Sequence, residues 1–185
     1  MEGSQRLASA MKKNPAGESF WPSRRMESRT NLRKLMEADM MLENVIYIDA
    51  PQSVVWSVTI DIERWPQWTP TVKSVKRLED GPFDCGSAAW IKQPGLPDAK
   101  WVVTALKSGE GFTWESRIRG IHMIATHELL TQGTGTLCVL RVEMSGLVAR
   151  LLWPLIYFSA RRSLERENAG LKARCEALAS TSRHA

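Results

Sequence analysis

The stretch IDAPQSVVWSVTIDIERWPQWTPTVKSV (48–75) decides how the rest of the chain is read. Pro51 is preorganised for the start of a helix, so its spacing predicts a short helix over 51–60. Val55, Trp56 and Ile60 form an apolar side at helical spacing. Asp61 can cap a further short turn through ERW, which Pro66 closes. Trp65 and Trp68 straddle that proline, with Pro70 close behind. Three readings of the pair are open at this point: a stacking platform, a pocket wall, or a buried corner. Upstream, ENVIYIDA (43–50) reads as a strand, so the stretch is a strand followed by two short helices.

From residue 71 the period changes. VKSVKRLE, GSAAWIKQ, KWVVTALKS, GFTWESRI, IHMIATHELLT and GTLCVLRVEMS are rich in Val, Ile, Thr and Trp, and turn sequences such as DGPFDCG and QGTG separate them. Hairpins with such short connections imply a six-stranded antiparallel meander. In the last strand Cys138, Leu140, Val142 and Met144 share one face, and Arg141 and Glu143 the other. After Gly146 the period is helical. Leu147, Leu151, Leu155 and Phe158 begin an apolar stripe that Leu164, Asn168, Leu171, Cys175 and Leu178 continue, with Pro154 expected to kink or break the helix.

This order, with its sequence marks, resembles the SRPBCC superfamily. More narrowly it is similar to the bacterial polyketide cyclase/dehydrase group, relatives of the START lipid-transfer domains and the birch-pollen allergens. The marks are the quoted stretch 48–75, GFTWESRIRG and HELLTQGTGT in the middle, and LERENAGLKARCE in the final helix. They span roughly 43–178. The resemblance implies an α+β helix-grip fold, a curved antiparallel sheet wrapped around a long C-terminal helix, with an apolar cavity between them. In that fold 48–75 makes a corner, with Trp68 anchoring it and Trp65 covering an edge.

Composition bounds the function. The net charge of +5 resides at the ends: residues 41–160 hold eleven Lys/Arg against twelve Asp/Glu. A nucleic-acid binder puts a basic stripe on its folded face, so none is expected as partner. Cys85, Cys138 and Cys175 form no CxxC pair and leave an odd number, which fits a reducing cytoplasm without a disulfide framework. No apolar run reaches the ~18–20 residues of a membrane span, so integral membrane association is not expected. Residues 1–40 read as a disordered tail, with a working start near Met40 or Met41; peptides from 1–35 in a digest of the native protein would exclude that start. The domain is expected over 41–179, with 180–185 as a frayed tail.

Strand alternation selects the site candidates. Phe112, Trp114, Ser116 and Ile118 form the more apolar face of their strand, so Trp114 and Ser116 are expected inside. Trp90 and Trp114 can line the cavity or simply pack in the core; Trp101 is the weaker candidate for lining. In IHMIATHELL, Met123 and His127 share the apolar face. His127 is either a general acid or base, or a hydrogen-bonded residue in an apolar layer. Met144 faces the same space. Trp153 and Tyr157 on the helix can line it, the tyrosine hydroxyl supplying a polar handle, and Asn168 interrupts the stripe with an amide. Arg117 needs the opposite strand phase. The loop QPGLPD (93–98) can rim an opening. No metal-ligand spacing, P-loop, GxSxG or dinucleotide fingerprint is present, so no cofactor or metal is expected. Three functions remain: binding of a polyketide, quinone, lipid or isoprenoid-like molecule; aldol cyclisation or dehydration of a polyketide with His127 and Tyr157; and a protein-interaction module of unknown oligomeric state.

Overall fold

The computed structural model describes residues 40–183, with side chains to 181. The expected tail therefore lies almost wholly outside the described residues. Strand β1 runs Met40–Ile48, helix α1 Gln52–Ile60, and a 3-10 turn Ile62–Gln67. Strands β2 (Ser74–Arg77), β3 (Ala88–Lys92), β4 (Ala99–Lys107), β5 (Gly111–Ile118), β6 (Ile121–Gln132) and β7 (Gly135–Ser145) follow, then helix α2 (Leu147–Arg183). The strands form one antiparallel sheet in the order β1-β7-β6-β5-β4-β3-β2. The meander accounts for the run β2 to β7, each strand beside the one before it. The first strand closes the opposite edge against β7, with Ile46 opposite Cys138. This is the helix-grip fold.

The elements form for local reasons and are pinned by long-range bonds. Pro51 sits just before α1, and its carbonyl accepts the Val54 and Val55 amides. Gln52 ties the start of α1 to the sheet by donating to the Gly109 and Leu129 carbonyls at 2.7 and 3.2 Å. Asp61 makes no side-chain cap; its carbonyl accepts the Arg64 amide and its carboxylate pairs with Arg64. Trp65 is buried and donates its indole N–H to the Thr59 carbonyl at 3.1 Å, while Trp68 is only half-buried. The expected roles are thus exchanged: Trp65 is the anchor of the corner.

Helix α2 corrects the sequence reading in two ways. It continues through Pro154 to Arg183, beyond the expected end near Leu178. Its buried stripe holds at Leu164, Asn168, Leu171 and Cys175, but the N-terminal half turns the other side inward. Ala149 is buried, and Trp153, Tyr157 and Ala160 pack on the core. Leu147, Leu151, Leu155 and Phe158 are 84%, 79%, 78% and 76% exposed. The segment is apolar all round, so helical periodicity alone had no unique phase there.

Two clusters make the core. One joins α1 and α2 to β1, β6 and β7 through Val55, Leu129, Leu140, Leu164 and Leu171. The other lies over β3 to β6 and holds Ile62, Trp65, Val103, Phe112 and Trp114. The space between sheet and helix opens where they meet.

A chamber with a histidine and a carboxylate

A chamber of about 130 Å³ lies between the sheet and α2. Trp114 (β5), Met123 and His127 (β6) and Met144 (β7) line it, as their strand phases require. Trp65 and Trp101 complete an aromatic wall: the Trp65 ring lies 5.3 Å from that of Trp114, and the Trp101 ring 5.2 Å from it. Gln93 and Leu96 of the 93–98 loop, with Ala160 and Ser163 of α2, line it as well.

His127 sits at its polar centre, only 5% exposed. Its ring stacks on Phe112 at 4.6 Å and 14°, and the Trp65 ring lies 5.3 Å away. Nε2 is 3.2 Å from Oε1 of Glu167 on α2. A carboxylate can only accept, so in the neutral imidazole Nε2 carries the proton and Nδ1 is left as an acceptor. Thr71 donates to the other Glu167 oxygen at 3.4 Å, and the Thr69 and Thr71 hydroxyls are 2.8 Å apart. The corner 61–75 thus contributes both a ring beside His127 and a hydroxyl to its carboxylate.

Three polar groups of the chamber lining have no partner among the described residues: Nδ1 of His127 and the indole nitrogens of Trp101 and Trp114, all buried. A buried polar group left unpaired costs about 1–3 kcal/mol. Nδ1 can accept, or donate once protonated, and the two indole N–H groups donate only. The rest of the lining is mostly apolar, with Gln93, Thr126, Arg141, Ser163 and Glu167 adding polar groups, and such a set matches a hydrophobic molecule carrying a carbonyl or hydroxyl.

The remaining candidates lie elsewhere. Trp90 is 45% exposed on the outer face of β3 and does not line the chamber. Its neighbours Ala89 and Ile91 are buried while Lys92 is exposed, so β3 alternates from Ala89 onward and Trp90 falls on the outward face with Lys92. Ser116 is buried in its strand but outside the lining, its hydroxyl unpaired. Trp153 and Tyr157 pack edge to face at 5.5 Å against the α1–α2–β1 cluster, away from the chamber. Asn168 donates to the Asn44 backbone and side-chain oxygens at 3.0 and 2.6 Å and accepts from the Cys138 thiol, a closed set locking α2 to β1 and β7. Arg117 is exposed on the opposite face of β5. Glu167 was missed as a lining residue, whereas Trp101, the weaker lining candidate, and Trp65, expected to cover an edge of the corner, both line the chamber. Glu167 lies 40 residues from its histidine, and only the folded sheet brings them together.

Solved structures share this architecture at low identity, a likeness of fold. An aromatase/cyclase from a Streptomyces species matches at TM-score 0.61 and 15% identity, over 74% of this chain and 93% of its own. A START superfamily protein from Mycobacterium smegmatis matches at 0.60 and 16%, over 75% and 98%. A di-domain aromatase/cyclase from the steffimycin biosynthetic pathway matches at 0.65 and 11%, over 80% of this chain and 54% of that one. No curated protein sequence matches. Residues 41–176 match the model of the family described as polyketide cyclase / dehydrase and lipid transport, and the chain belongs to that family.

Proposed function

We propose that the protein binds a small hydrophobic molecule bearing a carbonyl or hydroxyl, of polyketide, quinone, lipid or isoprenoid-like character, in the chamber. The observation that carries this reading is the coincidence of an apolar aromatic wall with three unpaired buried polar groups on the same lining. Sites for drug-sized ligands run to about 300–1,000 Å³, above the 130 Å³ here. The chamber therefore holds one end of such a ligand, with the remainder passing between the 93–98 loop and α2. The near-neutral charge of 41–160 supports a small molecule rather than nucleic acid, and three thiols outside any disulfide support a reducing, cytoplasmic setting. Native mass spectrometry of freshly purified protein tests the reading: a co-purifying apolar adduct, or uptake of an added one, is expected. A chain that stays ligand-free against a panel of quinones, fatty acids and polyketides would contradict it.

A second reading is favoured by the His127–Glu167 pair. Glu167 holds the imidazole so that Nδ1 can take the α-proton of a β-ketone, while an indole N–H stabilises the enolate oxygen. The carbanion then attacks a second carbonyl of the same chain, closing a ring by aldol addition; the protonated Nδ1 returns its proton to the resulting alkoxide, and removal of a second α-proton expels the hydroxyl as water. Tyr157 has no part in this step from its position. His127→Ala separates the readings: lost turnover with retained binding supports the enzyme, and retained binding without turnover in either form supports the binder.

A further inference from the structure

The exposed stripe on the first half of α2 has no use in the chamber, whose lining lies on the other side of the helix. Leu147, Leu151, Leu155 and Phe158 follow one another at spacings of four, four and three, so they form a single ridge. Val148 beside them is also exposed. Arg162 and Arg161 extend the ridge by one more turn, and both are exposed. From Leu147 to Arg162 the ridge is about 22 Å long at 1.5 Å per residue. Large apolar residues left out in a row mark an interaction site.

Charge selects the partner. Residues 147–164 contain Arg150, Arg161 and Arg162 and no Asp or Glu, and Glu165, one residue beyond, pairs with Arg161 at 3.0 Å. At the start of α2 the basic character continues onto the sheet. Arg117, Arg119, Gly120 and His122 line an open cleft of about 370 Å³ with Ser145 and Gly146, and a Cβ on Gly120 would meet the Val148 side chain at 3.4 Å. Glu115, two residues before Arg117 on β5, is engaged by His122 at 2.8 Å. Two copies of the chain laid ridge on ridge would set arginine against arginine in either direction: Arg150 against Arg161 and Arg162 when antiparallel, like on like when parallel. The ridge is also convex, with no facing groove, whereas a stable protein interface needs complementary shape. A leucine–phenylalanine ridge with arginines at both ends suits the soft boundary between acyl chains and anionic headgroups.

We infer that the first half of α2 docks this protein peripherally on an anionic lipid surface, Leu147, Leu151, Leu155 and Phe158 entering the acyl boundary and Arg117, Arg119, Arg161 and Arg162 meeting the phosphates. Among the described residues no helix is long and apolar enough to cross a membrane, so the helix lies in the interface plane. The inference stands apart from the chamber reading, since no residue is shared.

Vesicle co-sedimentation of the full chain tests it, with light scattering behind gel filtration run in parallel. The protein is expected to bind vesicles containing about a third phosphatidylglycerol at least about ten-fold more tightly than pure phosphatidylcholine, the preference fading in ~0.5 M salt. Leu151→Ser/Leu155→Ser should weaken binding about ten-fold or more, and Arg161→Glu/Arg162→Glu should erase the preference for anionic lipid. All four positions are exposed, so the circular dichroism spectrum should stay as in the wild type and the melting temperature should move little, the charge reversal losing only the exposed Arg161–Glu165 pair. Equal binding to neutral and anionic vesicles, no binding at low salt, or unimpaired binding by the leucine variant overturns the inference. So does a dimer that ignores vesicles and is split by Leu151→Ser/Leu155→Ser, which assigns the ridge to a second copy.

Discussion

At the scale of the residue, burial sorts chemically similar groups into different fates. Burial pushes the Cys138 thiol far up, and the nearby Glu167 charge adds to this. Burial likewise carries Cys175 up to about 12, against the opposing charge of Arg174. Cys85 is exposed. The thiolate is the reactive form, so alkylation at pH 8 should add one adduct to the native protein, at Cys85, and three after denaturation. Intact-mass analysis reads this directly; native labelling at Cys138 or Cys175 would mean the packing of β7 against α2 opens readily. The same selectivity by burial explains what strand alternation could read. In β5 and β6 polar and apolar residues alternate, so the inward phase of Trp114, Met123 and His127 was legible. In AAWIK Trp90 shares its face with the exposed Lys92 and alternates with buried Ala89 and Ile91, so the outward phase was there to read and expecting the ring inside overlooked it.

At the scale of the element, the long helix meets the tryptophan corner with no room to spare. A Cβ on Gly170 would collide with the Trp68 carbonyl, well inside van der Waals contact. Alanine is the better helix former by about 1 kcal/mol, and overpacking costs about 1–3 kcal/mol. Contact with backbone rather than a flexible side chain places the cost at the upper end. Gly170→Ala should therefore destabilise by about 1–2 kcal/mol, lowering the melting temperature by roughly 2–8 °C in calorimetry; a stabilised variant would mean the corner yields. Further along α2, burial pushes the Glu176 carboxyl up, but hydrogen bonds from Lys172 and the Asp49 amide, with the Lys172 charge, outweigh it and hold the group below its ordinary value. A depressed carboxylate stabilises the fold above its unfolded pKa and loses that contribution as pH falls below about 4.5. Glu176→Gln should thus be less stable than the wild type at pH 7 and approach it in acid, as denaturant midpoints across pH will show. The α2 periodicity was legible only where one side is polar: from Leu164 onward the stripe is unique, whereas over 147–158 two apolar phases compete. There the small Ala149 lets the helix start close to the sheet, and the larger leucines take the outside.

At the scale of the molecule, one curved sheet and one long helix leave a chamber that neither could form alone. The order of elements was legible because each hairpin is short and each turn carries its own punctuation; the helix-grip architecture followed from that order. The centre of the site was not legible as a whole. His127 could be placed on the inner face, but its carboxylate comes from α2, its stacking partner from β5 and a third, tilted ring from the corner before β2. No local pattern records such a convergence. The corner WPQW, read first as scaffolding, supplies one wall of the chamber through Trp65.

The central claim is that the chamber takes up an apolar ligand. Fluorescence titration with 1-anilinonaphthalene-8-sulfonate tests it most directly, in the Leu151→Ser/Leu155→Ser background so that the exposed ridge contributes less. Saturable uptake of about one equivalent is expected, weakened about ten-fold or more by Ala125→Leu, which fills the chamber from β6. The account is contradicted if no saturable uptake occurs, or if the filled variant, with an unchanged circular dichroism spectrum, binds the dye as tightly as its parent.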